Sequence, residues 1–115
     1  MKYVLLIYQP EGYDPAALSE EEYKDAAAGY AAINATPNVR SGWPLGFARD
    51  AITVRARDGQ TVSSLGPYVE QPGGTVGGYV EFEAENDEEA IALASKIPAV
   101  AQGGAVEIRP SKVYW

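Results

Sequence analysis

The residues best suited to chemistry lie in segments where apolar and polar side chains alternate. Arg55, Tyr79, Glu81 and Arg109 take the polar phase of these segments, so we expect them on one face of a sheet. An arginine can hold a carboxylate or phenolate through forked hydrogen bonds, and a tyrosine hydroxyl can orient a polar group. A carboxylate whose pKa is raised by burial can act as an acid or a base. These types predict a site for a small anion or acidic aromatic compound, with Glu81 as the one candidate base.

The same side chains also have a purely structural interpretation. Arg55 and Glu81 would form cross-strand ion pairs, on a solvated face or at a subunit interface. For any single pair we favour this interpretation. The segment around Trp43, from Gly42 to Phe47, is rich in aromatic and turn residues. We favour a lid of apolar side chains that closes the edge of the core; the alternative is a wall of a ligand pocket that includes Trp43.

Composition excludes several classes of function. The chain has 115 residues, a net charge of -7, and neither Cys nor His. One domain over 1–115 is expected from the length, and thiol and imidazole chemistry are excluded. We expect no metal and no cofactor, because the Gly-rich stretch matches no nucleotide motif. The acidic balance argues against nucleic acid and anionic membranes as partners. The apolar run of residues 3–8 is too short for a signal peptide or a span, and we expect a cytoplasmic protein.

The order of elements predicts the fold. Ser19 and Glu22 form a capping box, from which a helix should run to about Ile33, and Asp58-Gly59 predicts a type I′ hairpin turn. Strand segments lie at 3–8, 52–56, 60–64, 79–83 and 105–109, and a second helix begins at residue 86 or 87 and ends at Pro98. This order is that of an α+β, ferredoxin-like split βαβ subunit with an added hairpin. The expected core is Leu5 or Val4, Val54, Val80, Phe82, Leu93, Ile97 and Ile108.

The predicted sheet needs a cover on its second face. Both helices should pack on one face, with Tyr23, Ala26, Ala27, Tyr30 and Ile33 as the first apolar stripe and Ala90, Ile91, Leu93, Ala94 and Ile97 as the second. A second copy of the chain is the simplest cover for the other face. We therefore expect a homodimer, with Tyr114-Trp115 packed on the chain's own sheet edge or on the partner.

Several runs together resemble the YCII-related, or DGPF, domain family. They are residues 54–59, Gly66-Pro67-Tyr68-Val69-Glu70, Gly77-Gly78-Tyr79, residues 87–90 and residues 106–110, together with an opening strand similar to that of the family. The resemblance covers nearly the whole chain, with residues 34–50 as its weak part. It implies a dimeric α/β-barrel of ferredoxin-like subunits. Most members have no assigned reaction, some resemble enzymes of aromatic catabolism, and some are associated with alternative sigma factors.

The chain departs from the family pattern where that pattern could carry chemistry. Leu65-Gly66-Pro67-Tyr68 replaces Asp-Gly-Pro-Phe, and Gln71-Pro72-Gly73 replaces Thr-Lys-Glu. Some relatives carry a His proposed as catalytic, which this chain lacks. We therefore favour a dimeric domain that binds a small molecule or a partner, with a regulatory role. The alternative is a cofactor-free isomerase, lyase or dehalogenase that acts on a small acidic or aromatic compound.

Overall fold

In the computed structural model, which describes residues 1–69 and 76–112, strands and helices alternate along the chain. The strands are β1 (Lys2–Tyr8), β2 (Val39–Pro44), β3 (Ile52–Arg57), β4 (Gln60–Leu65), β5 (Val76–Glu83) and β6 (Ala105–Pro110). The α-helices are α1 (Glu20–Ala35), α2 (Asp87–Ala94) and α3 (Pro98–Ala101). Single turns of 3-10 helix occupy Pro15–Ala17 and Ala48–Asp50. The predicted packing of Tyr114-Trp115 lies outside the described residues.

Four strands form one antiparallel sheet in the order β2, β5, β1, β6, and β3 pairs only with β4 in the described part of the chain. Helix α1 connects β1 to β2, and α2 with α3 connects β5 to β6. This is the split βαβ order, with the β3–β4 hairpin inserted between the second and third strands of the sheet. The α+β, ferredoxin-like prediction is confirmed.

The second strand of the sheet is not the one that the sequence predicted. No strand was predicted between the first helix and residue 52, and Gly42 to Phe47 was interpreted as a lid. Strand β2 nevertheless forms there and pairs with β5, whereas 52–56 forms an arm of the separate hairpin. Its sequence hides this strand, because Arg40, Ser41 and Gly42 interrupt any apolar alternation. Gly42 permits the pairing: a Cβ there would lie 2.8 Å from the Tyr79 carbonyl oxygen.

The core lies on one face of this sheet. Tyr3, Leu5 and Ile7 of β1 are buried together with alternate residues of β5 and with residues from all three helices. The common cluster means that the helices cover the same face, as expected. Leu5, Val80, Phe82, Leu93 and Ile97 are buried as predicted, and Ile108 packs against them.

Four of the predicted buried positions are wrong: Tyr23, Ala27, Val54 and Ile91 are exposed. Val54 is 63% exposed because it lies on the hairpin, outside the sheet. Tyr23 and Ile91 are also exposed, since the first turns of α1 extend past the sheet and Ile91 lies on the outer side of α2. Pro98 does not end the second helix; it begins α3, where its missing N–H costs nothing.

The predictions made from sequence motifs at the helix starts and at the hairpin turn are confirmed. The Glu22 amide donates to Ser19 Oγ at 3.0 Å, and the Ser19 amide donates to Glu22 Oε1 at 3.1 Å. These bonds stabilise the carboxylate and lower the pKa of Glu22. Asn86 Oδ1 accepts from the Glu89 amide at the start of α2. Asp58 and Gly59 have φ of 51° and 77°, as a type I′ turn requires.

The opposite sheet face, which we call the open face, has no helix over it in residues 1–69 and 76–112. Its side chains are Val4, Leu6 and Tyr8 of β1, with Ser41, Trp43, Tyr79, Glu81, Glu107 and Arg109 from the neighbouring strands. Leu6 is half-buried between Tyr79 and Glu107, whereas Trp43 is 67% exposed. The face is thus an apolar and aromatic band with charged residues along it.

The hairpin also carries an exposed apolar face. Ile52, Val54 and Leu65 point to the same side of the two-stranded ribbon, and all three are largely exposed. The radius of gyration is 15.9 Å, compared with about 13 Å for a compact domain of this length. The hairpin therefore extends from the body of the subunit.

A pH-dependent contact joins the first strand to the start of α2. The Tyr3 hydroxyl donates to Asp87 Oδ1 at 2.6 Å, and this bond raises the pKa of Tyr3 from 10.0 to about 12. The folded state therefore keeps the proton longer than the unfolded state, so stability falls as the pH rises from about 10 to about 12. We expect the melting temperature of the parent to fall more steeply over this window than that of Tyr3→Phe. Parallel slopes in scanning calorimetry would contradict this.

Candidate functional site

A cavity of about 630 Å³ lies at one end of the sheet. This volume falls in the range of about 300–1,000 Å³ that small-molecule sites usually have. Its walls are the 9–15 segment after β1, the last turns of α1, residues 42–47 and the first half of β5. Most strand residues that line it, such as Ile7 and Val80, belong to the helix-covered face.

The described lining of the cavity is largely aromatic and glycine-rich. Its aromatic residues are Tyr13, Tyr30, Trp43, Phe47 and Tyr79. Trp43 and Tyr79 belong to the open face by their register, so the rings available inside the cavity are those of Tyr13, Tyr30 and Phe47. Its glycines are Gly12, Gly42, Gly46, Gly77 and Gly78. Glycines leave space between the rings, and flat ring faces suit a planar apolar ligand. The arrangement can therefore enclose an aromatic ring.

Pairing of β2 with β5 positions the aromatic wall. Trp43 lies opposite Tyr79 in the register, and the Leu45 amide donates to the Gly77 carbonyl at 2.9 Å, which continues the pairing past the end of β2. Leu45 and Phe47 are 49% and 45% exposed. The favoured lid interpretation is wrong, because these side chains line cavities and do not close the core.

Polar groups of the cavity gather where α1 meets the segment after β1. Tyr30, Asn34 and Gln9 line this part. Burial raises the pKa of Tyr30, although hydrogen bonds from the Gln9 side chain and the Ala99 backbone oppose this. The Tyr30 hydroxyl therefore stays protonated near neutral pH and can donate a hydrogen bond. Gln9 Oε1 is buried, and no group among the described residues donates to it.

The five residues proposed from the sequence do not come together. Trp43 and Tyr79 both line the cavity, whereas Arg55, Glu81 and Arg109 are not among its described lining. Arg55 lies on the hairpin, with its guanidinium 5.4 Å from the centre of the Tyr68 ring. Arg109 Nη1 donates to Glu107 Oε2 at 2.9 Å on the same strand. The Arg55–Glu81 cross-strand pair is not formed, because β3 does not pair with β5.

Sequence reasoning missed the polar end of the cavity. The predicted strand of residues 3–8 ended just before Gln9, and Tyr30 was assigned to the apolar stripe of the first helix. One signal was available for Gln9, since it continues the buried phase of Tyr3, Leu5 and Ile7 with a polar residue. No sequence pattern links Gln9 to Tyr30, which lies twenty-one positions later in the chain.

A second cavity of about 580 Å³ lies next to the first. It lies between Tyr8 at the end of β1 and the base of the hairpin, where Pro67 and Tyr68 line it. Leu45, Gly46 and Phe47 line both cavities, so this short segment separates them. The Gly66 amide donates to the Ala51 carbonyl at 2.7 Å and closes the base of the hairpin.

The part of the chain that the structure describes has no cluster of metal ligands. No group of three or more carboxylate, imidazole or thiol side chains there is placed to hold a metal ion. None of the helices in that part has the length and apolar content needed to cross a membrane.

Comparison with known proteins gives a likeness of fold. No family model and no curated protein matches the sequence. A solved structure that is similar is 5-chloro-2-hydroxyhydroquinone dehydrochlorinase from Burkholderia phenoliruptrix AC1100, in complex with 2,5-dihydroxybenzoquinone. The match has a TM-score of 0.50 and 16% sequence identity, and it covers 97% of this chain and 94% of the other. At this identity the likeness establishes a shared α+β fold.

Proposed function

We propose that this protein binds a small aromatic compound in the cavity beside Trp43. The observation that carries the proposal is a cavity of about 630 Å³ whose described lining holds five aromatic residues and few polar ones. Contacts with the rings of Tyr13, Tyr30 and Phe47 would supply most of the affinity, and the polar groups near α1 would orient the ligand. Tyr79 and Trp43, which the sequence indicated as ligand-binding, border the cavity from the open face, and their role stays a prediction.

The shared fold supports a proposal of family. The similar dehydrochlorinase is in complex with a small ring compound, 2,5-dihydroxybenzoquinone, and its fold covers nearly all of this chain. Together with the sequence runs around Gly66-Pro67-Tyr68 and Gly77-Gly78-Tyr79, this supports membership of the YCII-related family. The regulatory role suggested by that resemblance remains part of the proposal.

A cofactor-free enzyme is the second candidate, because the similar structure is that of a dehydrochlorinase. A lyase of this kind needs a group that takes a proton from the substrate. Tyr30 is a poor choice, since burial raises the pKa of its hydroxyl. Glu81 is outside the described lining of the cavity, and Glu11, the one carboxylate of that lining, is exposed to solvent. Binding is therefore the better-supported function of one subunit, with Glu81 kept as a proposal for an assembled site.

We also propose a homodimer, in which the open face packs against a second copy of the chain. Two apolar surfaces support it, because both the open face and the Ile52, Val54 and Leu65 side of the hairpin lack a cover in the described chain. A protruding hairpin can reach across to a neighbouring subunit. Packing of two open faces would also bring Arg109 and Glu81 inside the assembly, where the role predicted for Arg109 and Arg55 toward an acidic ligand could be met.

Calorimetric titration with β-naphthol tests the binding proposal. Phe47→Ala should weaken binding roughly ten-fold, because loss of ring contact costs about 1.4 kcal/mol. Tyr23→Ala is the matched control: it removes an exposed aromatic residue of α1 outside the described lining, and binding should be unchanged. Equal affinity of parent and Phe47→Ala, with both folded, would contradict the proposal.

A further inference from the structure

We infer that the cavity selects a neutral aromatic compound bearing a hydroxyl group, which donates a hydrogen bond to Gln9 Oε1. This inference rests on the proposed function and names the class of its ligand. It replaces the anionic ligand that the sequence suggested with a neutral one. Three features of the cavity support it: the charge of the lining, the unpaired oxygen of Gln9 and the position of Tyr30.

The charge of the lining opposes an anion. Glu11 is the one charged residue among the described lining, and it is acidic. The chain as a whole carries a net charge of -7. An anion in this cavity would lose its hydration without meeting a described cation, which is unfavourable. A neutral ring compound avoids this loss.

Gln9 supplies an acceptor that lacks a donor. Its Oε1 is buried and has no hydrogen-bond partner in the described structure. Gln9 and Tyr30 both line the cavity, so this acceptor belongs to a residue that a bound ligand would contact. A buried acceptor without a donor is destabilising, so a ligand that donates gains what the free protein lacks. Rotation about the last side-chain bond, a soft torsion, lets Oε1 face a ligand.

Tyr30 explains why a hydroxyl fits better than another donor. Its protonated hydroxyl lies beside Gln9 in the same part of the lining and can donate to the ligand. A ligand hydroxyl can form a hydrogen bond with both groups, since it donates to Gln9 and accepts from Tyr30. An ether oxygen accepts but leaves Gln9 unpaired, and a carboxylate brings two acceptors and a charge.

Three ligands of one shape test the inference on the parent protein: β-naphthol, its methyl ether and β-naphthoate. We expect β-naphthol to bind about ten-fold more tightly than either of the others, as one added hydrogen bond to a buried acceptor would give. If none of the three binds, the proposed function fails. If all bind equally, or if the ether or naphthoate binds best, the cavity is a binding site but the inference is overturned.

Variants of Gln9 then assign the preference to its oxygen. Gln9→Met keeps the length of the side chain but removes the acceptor, so β-naphthol and its ether should bind equally. Gln9→Glu keeps acceptors and should retain the preference. Gln60→Leu, on the hairpin, is a remote control that should behave as the parent. If Gln9→Met does not fold, Gln9→Leu answers the same question. A preference that survives in Gln9→Met or Gln9→Leu, which lack the acceptor, overturns the inference.

Discussion

Replacing Leu5 with Ala should lower the free energy of unfolding by about 2–5 kcal/mol, the usual cost of a large cavity in a core. Leu5 is fully buried at 0% exposure. It lies between Val80 on β5 and Ile108 on β6, on the face that the helices cover. The neighbours belong to a sheet and cannot collapse onto the space that the lost atoms leave. Urea denaturation followed by circular dichroism measures the change.

Ile91→Ala is the control for this prediction. It truncates an apolar side chain of the same size at a residue that is 56% exposed on the outer side of α2, outside both surfaces of the proposed dimer. Its effect should stay within about 0.5 kcal/mol, as for most surface substitutions. Both variants must be compared at one protein concentration, because a dimer couples unfolding to dissociation. A loss at Ile91 as large as that at Leu5 would contradict the prediction.

Leu6→Lys should convert the proposed dimer into monomers. Leu6 is half-buried at the middle of the open face, between Tyr79 and Glu107. A lysine there is tolerated in a solvated sheet, but in a dimer it would place a charge inside an apolar interface. Light scattering at micromolar concentration should give twice the subunit mass for the parent and the subunit mass for the variant.

Ile91→Lys provides the control for the dimer experiment. Ile91 is 56% exposed on the outer side of α2, away from the open face. The variant should keep the mass of the parent. A parent that is monomeric at micromolar concentration would refute the proposed assembly. So would a Leu6→Lys protein that remains dimeric and folded.

The parts of the fold that the sequence predicted are those that depend on interactions between residues close together in the chain. The Ser19 capping box, the Asp58-Gly59 turn and the apolar alternation around Val80 each act over a few residues, and each reads correctly. Strand β2 was not predicted, because its place in the sheet depends on the close approach of the Gly42 backbone to the Tyr79 carbonyl oxygen. Only the tertiary pairing of β2 with β5 creates that contact.

The candidate site was harder to predict for a physical reason. The sequence indicated two aromatic residues for the site, Trp43 in an irregular segment and Tyr79 on a strand. Pairing of β2 with β5 brings these two residues next to each other. Arg55 was assigned to the same face on the assumption that its strand joins the sheet. Charged residues attract attention in a sequence, whereas an aromatic cavity with one buried amide does not.

The central claim is that an aromatic ring binds in the cavity beside Trp43, and nuclear Overhauser effects between β-naphthol and the protein test it most directly. We predict contacts from the ring protons to the side chains of Ile7, Tyr30, Phe47 and Val80, which line the cavity. Contacts confined to Val4 and Leu6 on the open face, or to Val54 and Leu65 on the hairpin, would contradict it.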